Sequence, residues 1–573
     1  MLKNFLSLFE KKEKAKLVVI FFLNSLTFFF ELLSLASLPI FVAILLDASF
    51  LNTKLDGTFG QSILQNLSEK DLIILSGSFV VATFVLKNIF LIFLSYFQGL
   101  FFKKIKIKLS NKLFNFYLNS PYLYHLQNNP SKLSRNISMQ IEDLYVYFFH
   151  CLNLFREFLA ILVIFSLLIF VNPTVTIISS ISLALVSYLY IKTIKPYIKK
   201  KSSDNVELIR KITQVIYETF GSVKDIKLLS KEKQIEKFFN DKISKYHSNI
   251  FFFSIFERLP RFILEIASIA GIIFISLVYL GYNQNYLSLL PILSLIAISF
   301  MRFIPAFNSI TTSIYYMKIH EPSVDIVHNE LKEIVSNKIE EYKNIKKINV
   351  NENKSFFSAN GITFYYPDNK VPQLDNISMA IKEGEKVGLT GETGAGKSTL
   401  FHIMLGLIYP KSGDIIYKNE SIFQNLDEWR KEIGYISQNI YLLDSSVEKN
   451  IAFNFLDEPI NKEKLRKAIN VACLNEKISS MPQGINTLVG NDGLKLSGGE
   501  RQRIAIARAA YKNPNIFFMD ESTSALDDKT ENLIMNNLNQ EFKNKTFIMI
   551  AHRKSTIEKC DKVWKLSNGK LTS

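Results

Sequence analysis

Several short stretches of the chain carry residues whose types and spacing suit phosphate chemistry. In VGLTGETGAGKSTLFHIMLGL, residues Gly391, Gly396, Lys397 and Ser398 stand in the spacing G-x-x-x-x-G-K-[ST]. Residues without side chains let the backbone N–H groups of a turn approach phosphate oxygens, and the start of the following helix adds partial positive charge. The turn is Gly391, Glu392, Thr393, Gly394, Ala395 and Gly396; Lys397 is placed to reach the terminal phosphates, and Ser398, followed by Thr399, supplies a hydroxyl ligand for Mg²⁺. In NIFFMDESTSALD an apolar strand delivers Asp520, suited to hold Mg²⁺ directly or through water, and then Glu521, suited to polarise an attacking water. Hydrolytic phosphoryl transfer needs that positioning and charge neutralisation, and little covalent chemistry. TFIMIAH brings His552 to the end of another strand, and IGYISQNIYLLD brings Gln438, a neutral group able to reach the metal or the water.

Such residues need a parallel α/β sheet that collects strand ends on one edge. The alternation of apolar strands and amphipathic helices from residue 356 onward predicts one, as an α/β P-loop nucleotide-binding domain over 356–573. The stretch KLSGGERQRIAIARA is different. Ser497, Gly498 and Gly499 offer donors at the start of a helix with no ligand nearby in the sequence.

The first half is far more apolar. A membrane needs about 20 apolar residues as helix, and six runs qualify, at 17–46, 72–102, 147–171, 174–191, 259–280 and 287–306. They predict an α-helical membrane domain over 1–320, joined through a charged linker, 321–355. The net charge of +16 asks for an anionic neighbour, and its clustering beside apolar runs favours a membrane surface over nucleic acid. Lysines 103, 104, 106, 108 and 112 follow the second span and lysines 192, 195, 199, 200 and 201 the fourth; the 47–71 loop is short of them. The positive-inside bias therefore puts both termini in the cytoplasm. The long cytoplasmic segments, such as ELIRKITQVIYETFGSVKDIKLLSKEKQIEKFF, read as helical stalks or as soluble loops. The first apolar run is too long for a cleaved signal peptide, and three scattered cysteines predict free thiols.

Ionisable residues inside spans are costly and ask for a cavity, a pathway or a partner. Lys87 and Arg302 lie deep in theirs; Arg156 has Glu157 beside it, and Arg261 has Glu265 four residues on. A cationic cavity suits an anionic cargo head such as a pyrophosphate.

The P-loop, Gln438, the Ser-Gly-Gly stretch, FFMDE, SALD and His552 occur in the order of the ATP-binding cassette ATPases, which the chain resembles from residue 356 to its end. The six spans in front are similar to the membrane domain of type I exporter half-transporters. The resemblance implies ATP and Mg²⁺ as ligands. It also implies a homodimer in which Ser497, Gly498 and Gly499 close over the nucleotide held by the other copy's P-loop. Tyr366 is implied as the aromatic on adenine, with Tyr365 the competing choice, and Asp527 as the coupling aspartate. One departure is VGNDGLKLSGGE, where exporters commonly carry Gly-Glu-Arg-Gly before the signature; Asn491 and Asp492 stand there instead.

The segments ERLPRFILEIASIAG, SFMRFIPAFNSI and SQNIYLLDSSVEKNIAF resemble the PglK-type flippases for lipid-linked oligosaccharides. That resemblance implies movement of a polyprenyl-pyrophosphate-linked glycan from the cytoplasmic to the outer leaflet of the inner membrane, with Lys87, Arg261 and Arg302 on the pyrophosphate. An exporter of other lipids, drugs or peptides is the alternative expectation, and an ATP-gated channel or regulatory membrane ATPase a third.

Overall fold

The computed structural model describes residues 7–46, 68–171, 173, 192, 201, 204–205, 207–282, 290–340, 356–367, 369–490, 493, 495–520, 525–550 and 557–572. The chain divides into two units: Met1–Asn119 with Asn129–Lys343, and Ser120–Asn128 with Asn344–Ser573.

Helices make up nearly all of the first unit's described residues. Its long helices are α1 (Lys11–Leu46), α2 (Glu69–Asn119), α4 (Pro130–Val171), α6 (Glu232–Tyr282) and α7 (Leu290–Glu340), with the short α5 (Val223–Leu228) before α6. Among the described residues, α1, α2 and α4 are each long and apolar enough to cross a membrane. The expected span 259–280 falls on α6 and most of 287–306 on α7; the expected span 174–191 lies outside the described residues. At 51 residues, α2, α6 and α7 each run about 76 Å, well over twice a bilayer core. They continue past their apolar segments as lysine-, glutamate- and asparagine-bearing helix, which is how a stalk is built from sequence.

Large apolar residues along these helices are exposed, among them Phe22, Ile74, Ile92 and Phe170 at 63–90 %. A water-facing surface would not carry them at that density, and lipid accepts them. Inward, Leu35 of α1, Val163, Ile164 and Leu168 of α4 and Phe303 of α7 form a buried cluster. Buried polar contacts tie α2 and α4 to α7 elsewhere: Tyr117 donates to Glu330 Oε2 at 2.8 Å, and Asn136 to its Oε1 at 3.0 Å. Of the expected linker 321–355, residues up to Glu340 continue α7, with Pro322 inside the helix, and 341–355 lie outside the described residues. Its Glu- and Lys-rich composition favours helix as readily as linker.

The second unit holds two sheets. An antiparallel one has the order β2–β1–β4–β5, with β1 Phe357–Phe364, β2 Leu374–Ile381, β4 Ser412–Tyr417 and β5 Glu420–Ser421. The other has the order β10–β9–β3–β8–β7–β6: β3 Lys386–Gly391, β6 Ile433–Ile436, β7 Ile516–Asp520, β8 Thr546–Ile550, β9 Lys562–Ser567 and β10 Lys570–Thr572. All its pairings are parallel except β10 with β9. Every residue of β7 and β8 is buried, as central parallel strands covered on both faces require.

Two buried clusters flank this sheet. One joins the P-loop helix α8 (Lys397–Met404) to β1, β3 and β7; in it the ring of Phe401 meets that of Phe518 edge-on at 5.5 Å. Trp429, on α9 (Leu426–Glu432), donates its indole N–H to the Met404 carbonyl at 3.1 Å and so holds the far end of α8. The other cluster joins α10 (Val447–Ala452), α11 (Lys462–Val471), α13 (Gly498–Tyr511) and α14 (Asp528–Glu541) to the other side of β7 and β8; α12 (Asn475–Ser480) lies between α11 and α13 in the chain.

The short helix α3 (Tyr122–Gln127) belongs to this second unit, where the Tyr122 ring meets His402 of α8 edge-on at 5.2 Å. Burial pushes the His402 imidazole below its ordinary pKa, and its buried Nδ1 has no hydrogen-bond partner among the described residues. The folded chain therefore binds fewer protons here than the unfolded chain, so stability is lost as pH falls through about 6.5. A His402→Gln chain is expected to lose that part of the acid slope, read as the difference in melting temperature between the two proteins from about pH 7.5 to 5.5.

Candidate nucleotide site and membrane cavity

Strand register brings the phosphate residues to one edge. Leu389 of β3 pairs with Ile550 of β8, and Ile550 with Asp520 of β7; Met519 pairs with Ile436 of β6. The carboxyl ends of four neighbouring strands thus carry, in spatial order, the P-loop, the segment leading to His552, Asp520 and the segment leading to Gln438. In open parallel sheets this edge is where ligands bind. Glu521 and His552 themselves lie outside the described residues.

The P-loop conformation depends on its glycines. At Gly391 (φ +149°) a Cβ would stand 2.2 Å from the Leu566 carbonyl oxygen; at Gly396 (φ +104°) it would meet Leu374 Cδ2 at 2.9 Å. Gly396 is the N-cap of α8, and Lys397, 7 % exposed, arches back so that Nζ donates to the carbonyls of Gly391 at 2.6 Å and Glu392 at 2.9 Å. Its charge is thereby held over the loop. Glu392, Thr393, Gly394 and Ser398 are exposed, Ala395 and Thr399 buried. Tyr366 is half-buried, with its hydroxyl 3.0 Å from Thr399 Oγ1, whereas Tyr365 lies under Lys411, whose Nζ is 4.5 Å from the ring centre. The two tyrosines therefore separate: only Tyr366 reaches the P-loop helix.

Asp520 is 7 % exposed, and its charge, after burial itself, keeps the Tyr435 hydroxyl above its ordinary pKa. Gln438 is exposed just past β6. The carboxylate, hydroxyl and amide oxygens of Asp520, Ser398 and Gln438 are the hard donors that Mg²⁺ takes. With the N–H groups of a loop that excludes side chains, they fit a metal–nucleotide pair.

Ser497, Gly498 and Gly499 start α13 in a capping box: Ser497 Oγ accepts from Glu500 N at 3.3 Å, and Ser497 N donates to Glu500 Oε2 at 2.9 Å. The acceptor side of that hydroxyl is engaged by its own helix, while Ser497 is exposed and keeps its O–H to donate. Behind it, a Cβ on Gly499 would stand 3.1 Å from the Ala525 carbonyl, and the Ala525 N–H donates to Gln502 Oε1 at 3.0 Å. Sequence reading missed this brace. Asp527 caps α14 by accepting from Thr530 N at 2.9 Å, and that bond holds its carboxyl below the usual range.

In the first unit, Lys87 and Arg302 line one cavity of about 250 Å³ together with Arg156, Glu31, Glu157 and Asn88. Lys87 Nζ is 3.5 Å from Glu31 Oε2, and Arg302 Nε donates to Glu31 Oε1. Arg302 Nη2 is 3.1 Å from Glu157 Oε2, and Arg156 binds Glu157 Oε1 through Nη2 at 3.0 Å and Nε at 3.2 Å. The Arg156–Glu157 pairing was legible from adjacency. Glu31 was missed, although an acidic residue alone in FFFELLSL is itself the signal that a partner is needed. Arg261 is on α6, and its side chain is outside the described set.

Residues 374–524 match the family described as ABC transporter, and residues 21–303 the one described as ABC transporter transmembrane region. An ATP-dependent lipid A-core flippase of Ralstonia nicotianae is 26 % identical over 83 % of this chain and 80 % of its own. The leukotoxin translocation ATP-binding protein LktB of Mannheimia haemolytica is 35 % identical over 43 % of this chain and 35 % of its own. A bacterial Atm1-family ABC exporter solved with ATP bound superposes with a TM-score of 0.67 at 19 % identity, over 98 % of this chain and 94 % of that one.

Proposed function

Because the chain belongs to the ABC transporter family, as a membrane-embedded half-transporter of exporter type with an ATPase domain, we propose that it spends ATP on moving a polyprenyl-pyrophosphate-linked oligosaccharide. The direction is from the cytoplasmic to the outer leaflet of the inner membrane, with both termini in the cytoplasm. The observation that carries the reading is the cavity where Lys87, Arg156 and Arg302 converge inside the helical unit. Guanidinium and ammonium groups in one pocket recognise a diphosphate through charge-assisted hydrogen bonds. A pocket for apolar drugs has no use for them.

Two copies act together. The P-loop of one, with Lys397, Ser398 and Tyr366, holds ATP; Ser497, Gly498 and Gly499 of the other donate to its terminal phosphate, with the α13 N-terminus behind them. Mg²⁺, when bound by Ser398, Asp520 and Gln438, neutralises charge on the phosphates. Glu521 orients and polarises the attacking water, and His552 contacts the terminal phosphate. Closure reaches the membrane unit through segments at 119–138 and 220–231, and hydrolysis reopens the pair.

The lipid A-core flippase relative favours a second reading, in which another phosphate-bearing lipid is cargo. The test is ATP hydrolysis in proteoliposomes. Polyprenyl-diphosphate-linked sugar is expected to stimulate it and polyprenol to leave it unchanged; equal stimulation by neutral lipids contradicts the reading.

A further inference from the structure

Within the cavity, three cations face two carboxylates, and the carboxylates use up the cations. Glu31 bridges Lys87 and Arg302, and Glu157 bridges Arg302 and Arg156. The two acids are the least exposed members, with side chains 9 % and 5 % accessible, while Lys87, Arg156 and Arg302 are 15–30 % accessible. The cluster keeps one net positive charge. An incoming anion therefore meets no bare cationic pocket, because the groups that would hold it are already paired.

From this geometry we propose that Glu31 is a resident counter-ion that occupies the cargo's anionic subsite and yields it only to a ligand that presents two anionic phosphoryl groups. The inference rests on the reading of Lys87 and Arg302 as headgroup ligands. Glu31 spans both cations with its two oxygens, as a diphosphate would with two phosphoryl groups. A neutral lipid offers nothing to exchange for that pair of contacts, and a single phosphate monoester replaces it less fully. Glu157 stays on Arg156 and Arg302 and keeps the guanidinium of Arg302 oriented. Once cargo leaves, Glu31 closes back onto the cations, which discourages rebinding. Glu31 is thus a specificity residue that competes for the subsite and does not contact the cargo.

The experiment compares wild type, Glu31→Gln and Glu31→Asp chains in nanodiscs, with ATP hydrolysis titrated against a polyprenyl diphosphate, the matching monophosphate and the matching alcohol. Removing the competitor is expected to lower the half-stimulating diphosphate concentration about tenfold, to lower the maximal stimulated rate because release slows, and to narrow the gap between diphosphate and monophosphate. Glu31→Asp, one methylene shorter and still charged, falls between; it carries the test if Glu31→Gln does not fold. A wild type stimulated by diphosphate whose two variants show unshifted or raised half-stimulating concentrations overturns the counter-ion role alone. A wild type that hydrolyses ATP but ignores the diphosphate overturns the cargo reading and this inference with it.

Discussion

A Glu521→Gln chain is expected to bind ATP as tightly as wild type and to hydrolyse it about 10²–10⁴-fold more slowly. The substitution keeps size and hydrogen-bonding capacity and removes only the charge proposed to draw a proton from water. The residues proposed to hold the nucleotide stay intact: Lys397 over the P-loop, the Gly391 and Gly396 backbone, and Asp520 at the end of a fully buried strand. Labelled-ATP retention and phosphate release, measured on the same protein, separate binding from turnover. Retained turnover would take the base role from Glu521 and make His552 the residue to examine.

Arg302→Ala should be the most damaging change in the membrane unit. It strips Glu31 of one of two partners and Glu157 of another, leaving two nearly inaccessible carboxylates short of positive charge. Removing one member of a buried ion pair typically costs about 3–5 kcal/mol. Lys87→Ala should cost less, because at 3.5 Å from Glu31 it is the looser contact. Melting in detergent checks both. An unchanged melting temperature for Arg302→Ala would mean that the five charges do not form one network.

The phosphate chemistry was legible in sequence because it sits on local spacing. A turn that excludes side chains, followed directly by Lys397 and Ser398, needs only neighbouring residues to be recognised. A buried strand ending in acid, as IFFMD does, needs no more. The long helices were legible for the same reason, since each apolar run announces itself. The contacts on which the proposed selectivity rests join residues far apart in the chain: Arg302 and Glu31 are 271 positions apart, and no periodicity links them. Likewise, nothing in PYLYHLQ says that residues 120–128 group with the nucleotide-binding unit while the helices on either side of them do not. The 321–340 stretch was read as linker on its charge, yet charge on a good helix former is equally the surface of a long helix, and α7 runs through it. Ser497 shows the limit in another form: its spacing marks a helix start, but its proposed role needs a second copy of the chain.

The shared nucleotide is the central claim, and cross-linking tests it most directly. In a Glu521→Gln background with Cys151, Cys473 and Cys560 replaced by Ser, Thr393→Cys marks the exposed P-loop tip and Ser497→Cys the exposed start of α13. The account predicts that, with a mild thiol oxidant added, ATP with Mg²⁺ promotes a disulfide-linked dimer of twice the 65.9 kDa chain, and that neither cysteine alone gives it. A product that stays at the mass of one chain, in a preparation that binds ATP, would contradict it.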